Sequence, residues 1–122
     1  MTRAPYRAGG FRANAVPVVI DGIRFASKAE GRSYMDFRMM QQLGEIQWFI
    51  RQPSFDLPGQ IKYRADFLVV EKDGRVRVFD TKGFRTKEFD LKMRLMKEAY
   101  PKVEVELIGG SHGRVPAVLH EM

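Results

Sequence analysis

Apolar residues along this chain fall into short alternating runs broken by turn residues, with two longer stretches at helical spacing. Val16 to Ile20 and Ile23 to Phe25 flank Asp21-Gly22, a dipeptide suited to a two-residue turn, and predict a short hairpin. Ser27 follows, with Glu30 three positions on, the N-cap and capping-box pair of a helix from about Lys28 to Leu43 that Gly44 ends. At 3.6 residues per turn, Ala29, Tyr34, Phe37, Met40 and Leu43 share one arc of that helix, and Glu30 lies inside it. Glu45 to Gln52 reads as a strand with Ile46, Trp48 and Ile50 on one face, and Pro53 and Pro58 bound a loop. Ile61 to Glu71 and Arg75 to Lys82 are two further strands joined at Asp73-Gly74, and Gly83 breaks the run.

A second helix is predicted from Lys87 to Tyr100, ending before Pro101. Lys92 sits on it among Leu91, Leu95, Met96 and Ala99, while Asp90, Arg94, Lys97 and Glu98 form the polar side. Val103 to Ile108 alternates with Glu104 and Glu106 as a last strand, and the tail from Gly109 reads as loop plus a short strand at Ala117 to Leu119. The order is hairpin, helix, three strands, helix, strand. Its natural packing is an α/β (α+β) fold with a small mixed sheet flanked by helices.

The length of 122 residues fits one domain. Residues 1–14 carry Arg3, Arg7 and Arg12 and no acid, with Pro5 and Gly9-Gly10 opposing regular structure. They read as a flexible basic arm, either a phosphate contact or a frayed terminus, ahead of a single domain over 15–122. The net charge is +6. Such a balance suggests a polyanionic partner, most often nucleic acid, against the plainer reading of a soluble basic surface. The absence of cysteine excludes disulfides, zinc ribbons, iron–sulfur sites and thiol catalysis. No apolar run approaches the ~20 residues of a membrane span, and no apolar stretch follows the basic start as in a secretory signal. A cytoplasmic protein without a membrane partner is expected.

Candidate chemistry narrows to carboxylates. His112 and His120 lie in the tail without a helical partner and read as surface residues, and no Gly-rich phosphate loop or Gly-x-Ser-x-Gly is present. Asp80-Thr81-Lys82 and Asp90-Leu91-Lys92 share one spacing. In a strand, i and i+2 point to the same face, so Asp80 and Lys82 stand side by side; on a helix Asp90 and Lys92 point apart. Register then brings in Asp66. A two-residue turn at Asp73-Gly74 would set Asp66 opposite Thr81. A three-residue turn with Gly74 left-handed sets Asp66 opposite Asp80, Leu68 opposite Val78, Val70 opposite Val76 and Glu71 opposite Arg75. The second register pairs apolar with apolar and acid with base, and is the one expected. Two adjacent carboxylates repel unless a cation or proton lies between them; against the plainer reading of a surface pair that tolerates the repulsion, their place at the mouth of a core favours a metal, and hard oxygen ligands suit Mg²⁺ or Mn²⁺. Glu30 is either the capping-box acid or a further acid reaching the metal directly or through water. Lys92 either snorkels, pairs with Glu88, or points at a phosphate.

A helix Glu, a strand Asp and a strand Asp-x-Lys, followed by a basic helix, resemble the PD-(D/E)XK nuclease superfamily, with Glu30, Asp66, Asp80 and Lys82 in the motif positions. From about Ile20 to Leu107 the chain is also similar to a family of small phage and prophage proteins known only as a domain of unknown function. That likeness rests on Asp21-Gly22-Ile23, Phe25-x-Ser27-Lys28-x-Glu30, Leu43-x-x-Glu45-Ile46, Gln52-Pro53, Tyr63-x-Ala65-Asp66-Phe67, Asp80-Thr81-Lys82-Gly83 and Leu91-Lys92. Its layout resembles phage-type endonuclease I, a resolvase of branched DNA, and transposon nuclease subunits. Ala65 stands where the superfamily has its eponymous proline, and Asp80 where Glu is more usual.

The resemblance implies a restriction-endonuclease-like αβββαβ core behind the N-terminal hairpin. It implies a metal on Asp66, Asp80 and the Thr81 carbonyl, supported by Glu30, with Lys82 orienting water or stabilising transition-state charge. Lys92 and Gln52 would contact the DNA, and Arg64, Arg85, Lys87 and the basic arm would track its backbone. The expected function is a Mg²⁺-dependent, phage-encoded DNA endonuclease, structure-selective toward branched DNA such as a Holliday junction. A homodimer is expected if it cuts junctions, and the host-cell cytoplasm if it is phage-encoded. The alternative is a non-catalytic nucleic-acid-binding protein or phage assembly component that retains the fold.

Overall fold

A computed structural model describes residues 16–81 and 86–108. The predicted hairpin forms from β1 (Val18–Ile20) and β2 (Ile23–Phe25), paired antiparallel. Asp21 and Gly22 both take positive φ, 55° and 76°, as the two-residue turn demands. Tyr34 and Arg38 of α1 (Lys28–Gln42) hold the Asp21 carboxylate at 2.9 and 3.1 Å, which ties the hairpin to the helix. Ser27 Oγ accepts the Glu30 backbone N–H at 3.1 Å, and Gly44, at φ 77°, ends the helix. Ala29, Phe37 and Met40 are buried as predicted, and Tyr34 packs at the core's edge. Leu43, placed on the apolar arc, is instead 65% exposed: it is the C-cap residue, past the last packed turn.

The central sheet has four strands in the order β3-β6-β7-β8. β3 (Ile46–Arg51), β6 (Phe67–Glu71) and β7 (Val76–Asp80) run antiparallel. β8 (Glu104–Leu107) returns parallel to β7 after the crossover helix α2 (Lys87–Ala99). The chain is thus a small α+β protein with a mixed sheet. One face of the sheet packs Phe67, Val69 and Phe79 against Phe37 and Met40 of α1. The other packs Val78, Leu68, Val105 and Leu107 against Phe89, Met93 and Met96 of α2. Phe89, Met93 and Met96 therefore centre the buried face of α2; Leu91 and Ala99, assigned to it from the sequence, are exposed.

Two strand expectations are corrected. Ile61 to Glu71 is not one strand but β5 (Ile61–Arg64) and β6, separated at Ala65 and Asp66. The expected loop between Pro53 and Pro58 contains β4 (Ser54–Leu57), which pairs antiparallel with β5. Phe55 and Tyr63 stack across this second hairpin at 6.2 Å, and Tyr100 at the end of α2 meets Phe55 at 5.2 Å. The hairpin thereby joins the core under α2. The second correction concerns β3. Its register against β6 shifts between Ile46 and Trp48, a bulge that reverses the inward parity of the rest of the strand. Ile46 is buried, but Trp48 and Ile50, expected beside it, are 45% and 46% exposed; Phe49 and Arg51 turn inward in their place. The short strand expected at 117–119 lies outside the described residues.

Candidate functional site

The site is set by the turn between β6 and β7. Gly74 takes φ 93°, its N–H donates to the Glu71 carbonyl at 2.8 Å, and the Glu71 N–H donates to the Arg75 carbonyl at 2.8 Å. Leu68 pairs with Val78 and Val70 with Val76, the register expected from the three-residue turn. Asp66, one step before β6, is held in the same alignment because its N–H donates to the Phe79 carbonyl at 3.1 Å. Asp66 and Asp80 consequently end adjacent strands on one side of the sheet.

Each carboxylate is anchored differently. Asp66 Oδ2 accepts both the Thr81 N–H, at 2.6 Å, and the Thr81 hydroxyl, at 2.5 Å. Asp80 is only 2% exposed, and its Oδ2 accepts the Tyr63 hydroxyl at 2.8 Å. Tyr63, on the face of β5 that packs under α2, was not singled out as a site residue from the sequence. Burial, and the neighbouring charges of Asp80 and Asp66, push its phenol far above the ordinary value, so it acts as a fixed hydroxyl donor. Tyr63→Phe leaves a buried carboxylate oxygen short of that donor, and is expected to lower stability by about 1–3 kcal/mol, read from the urea midpoint.

Glu30 approaches from the first turn of α1 and is buried. Burial raises its carboxyl above the usual 4.5, and the charge of Asp66 raises it further; Arg51 and the Ala26 backbone N–H act in the opposite sense. Glu30 is thus electrostatically coupled to Asp66. It does not complete a chelate, since among the described residues no group of three or more His, Asp or Glu side chains is arranged to hold a metal ion. Glu30, Asp66 and Asp80 nonetheless offer carboxylate oxygens, and Asp66 acts on Glu30 as a like charge, donor chemistry that suits a hard divalent cation.

Arg51 is the second residue that sequence reasoning missed. Strict alternation placed it opposite Trp48 and Ile50, away from the predicted core face; the β3 bulge turns it inward, opposite Phe67. Its guanidinium lies 4.8 Å from the Phe25 ring centroid, and its buried Nε has no hydrogen-bond partner among the described residues. No periodicity marks such a position; only the partner strand's residue count does.

The remaining candidates scatter. Gln52 is exposed with φ 53°, and its backbone N–H, not its side chain, reaches the site by donating to the Asp66 carbonyl at 2.8 Å. Arg64 and Lys87 are exposed at the end of β5 and the start of α2. Lys92 pairs with Glu88 at 3.1 Å, one of the arrangements expected for it. Lys82, Arg85, Arg3, Arg7 and Arg12 lie outside the described residues. A cavity of about 670 Å³ lies elsewhere, between α2 and β8, lined mainly by Phe89, Met93, Met96, Val103 and Leu107, and none of the candidate acids lines it.

Fold and site together define a small α+β protein whose mixed sheet carries two anchored carboxylates at the ends of adjacent strands, beside a buried helix glutamate. The chain belongs to the family described as "Protein of unknown function (DUF1064)", whose model matches residues 11–112. No curated protein matches the chain. No helix among the described residues is long and apolar enough to cross a membrane.

Proposed function

We propose that this protein is a Mg²⁺- or Mn²⁺-dependent DNA endonuclease of the PD-(D/E)XK type, phage-encoded and selective for branched DNA. The observation that carries the reading is the register that sets Asp66 beside Asp80, with Glu30 coupled to Asp66. Asp66, Asp80 and the Thr81 carbonyl would hold the metal, and Glu30 would support it. When bound, the metal would lower the pKa of a water and polarise the scissile phosphate.

The chain's own residues do the positioning. Thr81 fixes one oxygen of Asp66, and Tyr63 fixes one oxygen of Asp80. Lys82 would stabilise charge on the phosphate, and Lys92, Arg64, Arg85, Lys87, Gln52 and the arginines of the N-terminal arm would hold the flanking DNA. The net charge of +6 favours that polyanion. Cutting both strands of a four-way junction requires two such sites, hence a homodimer, acting in the host-cell cytoplasm.

One observation favours a second reading, a non-catalytic nucleic-acid-binding protein or phage assembly component: no three acids are arranged as a chelate among the described residues. Against it, two acids set close to the path of a polyanion weaken binding and serve a pure binder nothing. The purified protein, given matched linear, nicked, flapped and four-way DNA, is expected to cut at least one of them in Mg²⁺ or Mn²⁺ and none in EDTA. DNA binding without cutting in either metal would favour the second reading.

A further inference from the structure

Trp48 and Ile50 stand out on the open part of the sheet. They are about half exposed on β3, at one edge of the sheet. Trp48 pairs with Val70 and Ile50 with Leu68, so all four side chains share the sheet face of Val78, the face that α2 and the β4–β5 hairpin cover only on their own side. Asp66 precedes Leu68 by two positions and Asp80 follows Val78 by two, on the same parity. The apolar strip therefore leads along the strands to the carboxylate pair. From Val70 to Asp66 the strand runs about 13 Å at about 3.3 Å per residue. That is roughly the span of four nucleotides of one DNA strand at 3.4 Å each.

The strip is not an accident of the pattern. Plain alternation would send Trp48 and Ile50 into the α1 core beside Ile46, and the bulge before Trp48 turns both outward. Bulges re-aim side chains in this way next to active sites. No carboxylate interrupts the strip: β3 contains none, and Glu71 of β6 lies buried with Arg75 and Arg77. A surface meant for phosphates alone would carry cations; an exposed indole with aliphatic neighbours offers a π-face to bases, which stack on it without sequence preference.

We infer that Trp48, flanked by Ile50, is a stacking platform for an unpaired base of the DNA strand held at Asp66 and Asp80, so that the preferred substrate has unpaired nucleotides about four positions from the scissile phosphate. The inference rests on the nuclease reading and supplies its substrate class. Duplex bases, already stacked on each other, would gain nothing from the platform.

Trp48 is the only tryptophan of the chain, so its emission reports on the platform directly. Titration in EDTA compares an oligo(dT), a blunt duplex, and the same duplex with a short unpaired segment. The expected result is quenching of Trp48 emission by the two DNAs with unpaired bases. Trp48→Ala should weaken their binding about ten-fold, measured by anisotropy of labelled DNA, with the blunt duplex unchanged. Trp48→Phe, which keeps an aromatic face, should recover most of the loss, and circular dichroism checks that both variants fold. Unchanged emission, together with equal binding by Trp48→Ala, would overturn the platform while leaving the nuclease reading intact. A wild-type dimer that Trp48→Ala converts to monomer in sedimentation would assign the face to a second copy and overturn it too. Failure of the wild type to bind or cut any DNA would remove the nuclease reading and the platform with it.

Discussion

Asp66→Asn is expected to keep the fold and lose metal-dependent cleavage by on the order of 10³-fold. The asparagine amide has nearly the shape of the carboxylate, and its one carbonyl oxygen can still accept the Thr81 N–H and hydroxyl that Asp66 Oδ2 accepts now. What disappears is the negative charge and the second ligand oxygen. Asp66→Ala removes the acceptor as well, leaving the Thr81 donors unpaired at a cost of about 1–3 kcal/mol. Comparing the two variants separates the acid's work on the turn from its work on the metal. Thermal melts should show the asparagine variant close to wild type and the alanine variant lower, while neither cuts DNA.

Glu30→Gln should move stability and activity in opposite directions. Burial and the charge of Asp66 raise the Glu30 pKa, so in the folded chain it holds its proton to higher pH than in the unfolded chain. In metal-free protein its contribution to stability is fully present below the ordinary value of 4.5 and is lost as pH rises through the raised value. Glutamine carries no charge at any pH. The variant should therefore melt a few degrees higher than wild type at pH 7 in EDTA, and the difference should vanish in acid. If Glu30 supports the metal as proposed, cleavage by the variant falls about 10–100-fold. A variant less stable than wild type at pH 7 would mean that the Ala26 N–H and Arg51 outweigh burial and repulsion, and that Glu30 is a structural cap.

The sequence made the carboxylate register legible because several local signals agreed. Asp73-Gly74 supplied the turn, Glu71 and Arg75 the closing charges, and Leu68, Val70, Val76 and Val78 the apolar matches, which the pairing of β6 with β7 bears out. The first hairpin and the first helix start were legible for the same reason: Asp21-Gly22 and Ser27 act through neighbours a few residues away. What was not legible depends on partners distant in sequence. Pro53 and Pro58 suggest a loop, yet Ser54–Leu57 becomes a strand because Ile61–Arg64 folds back on it. The bulge in β3 exists only relative to β6, and it decided that Arg51 turns inward over the Phe25 ring while Trp48 faces outward. Tyr63 reaches Asp80 only because the second hairpin closes over the sheet.

The most direct test of the proposed metal-dependent cleavage compares wild type with Asp80→Asn on one susceptible DNA across a Mg²⁺ titration, with EDTA as the zero point. The account predicts wild-type cutting that rises with Mg²⁺ and stops in EDTA. It predicts no cutting by the variant at any concentration, with DNA binding equal or tighter because one negative charge near the bound phosphates is gone. Cleavage by Asp80→Asn at the wild-type rate, or wild-type cutting undiminished in EDTA, would contradict it.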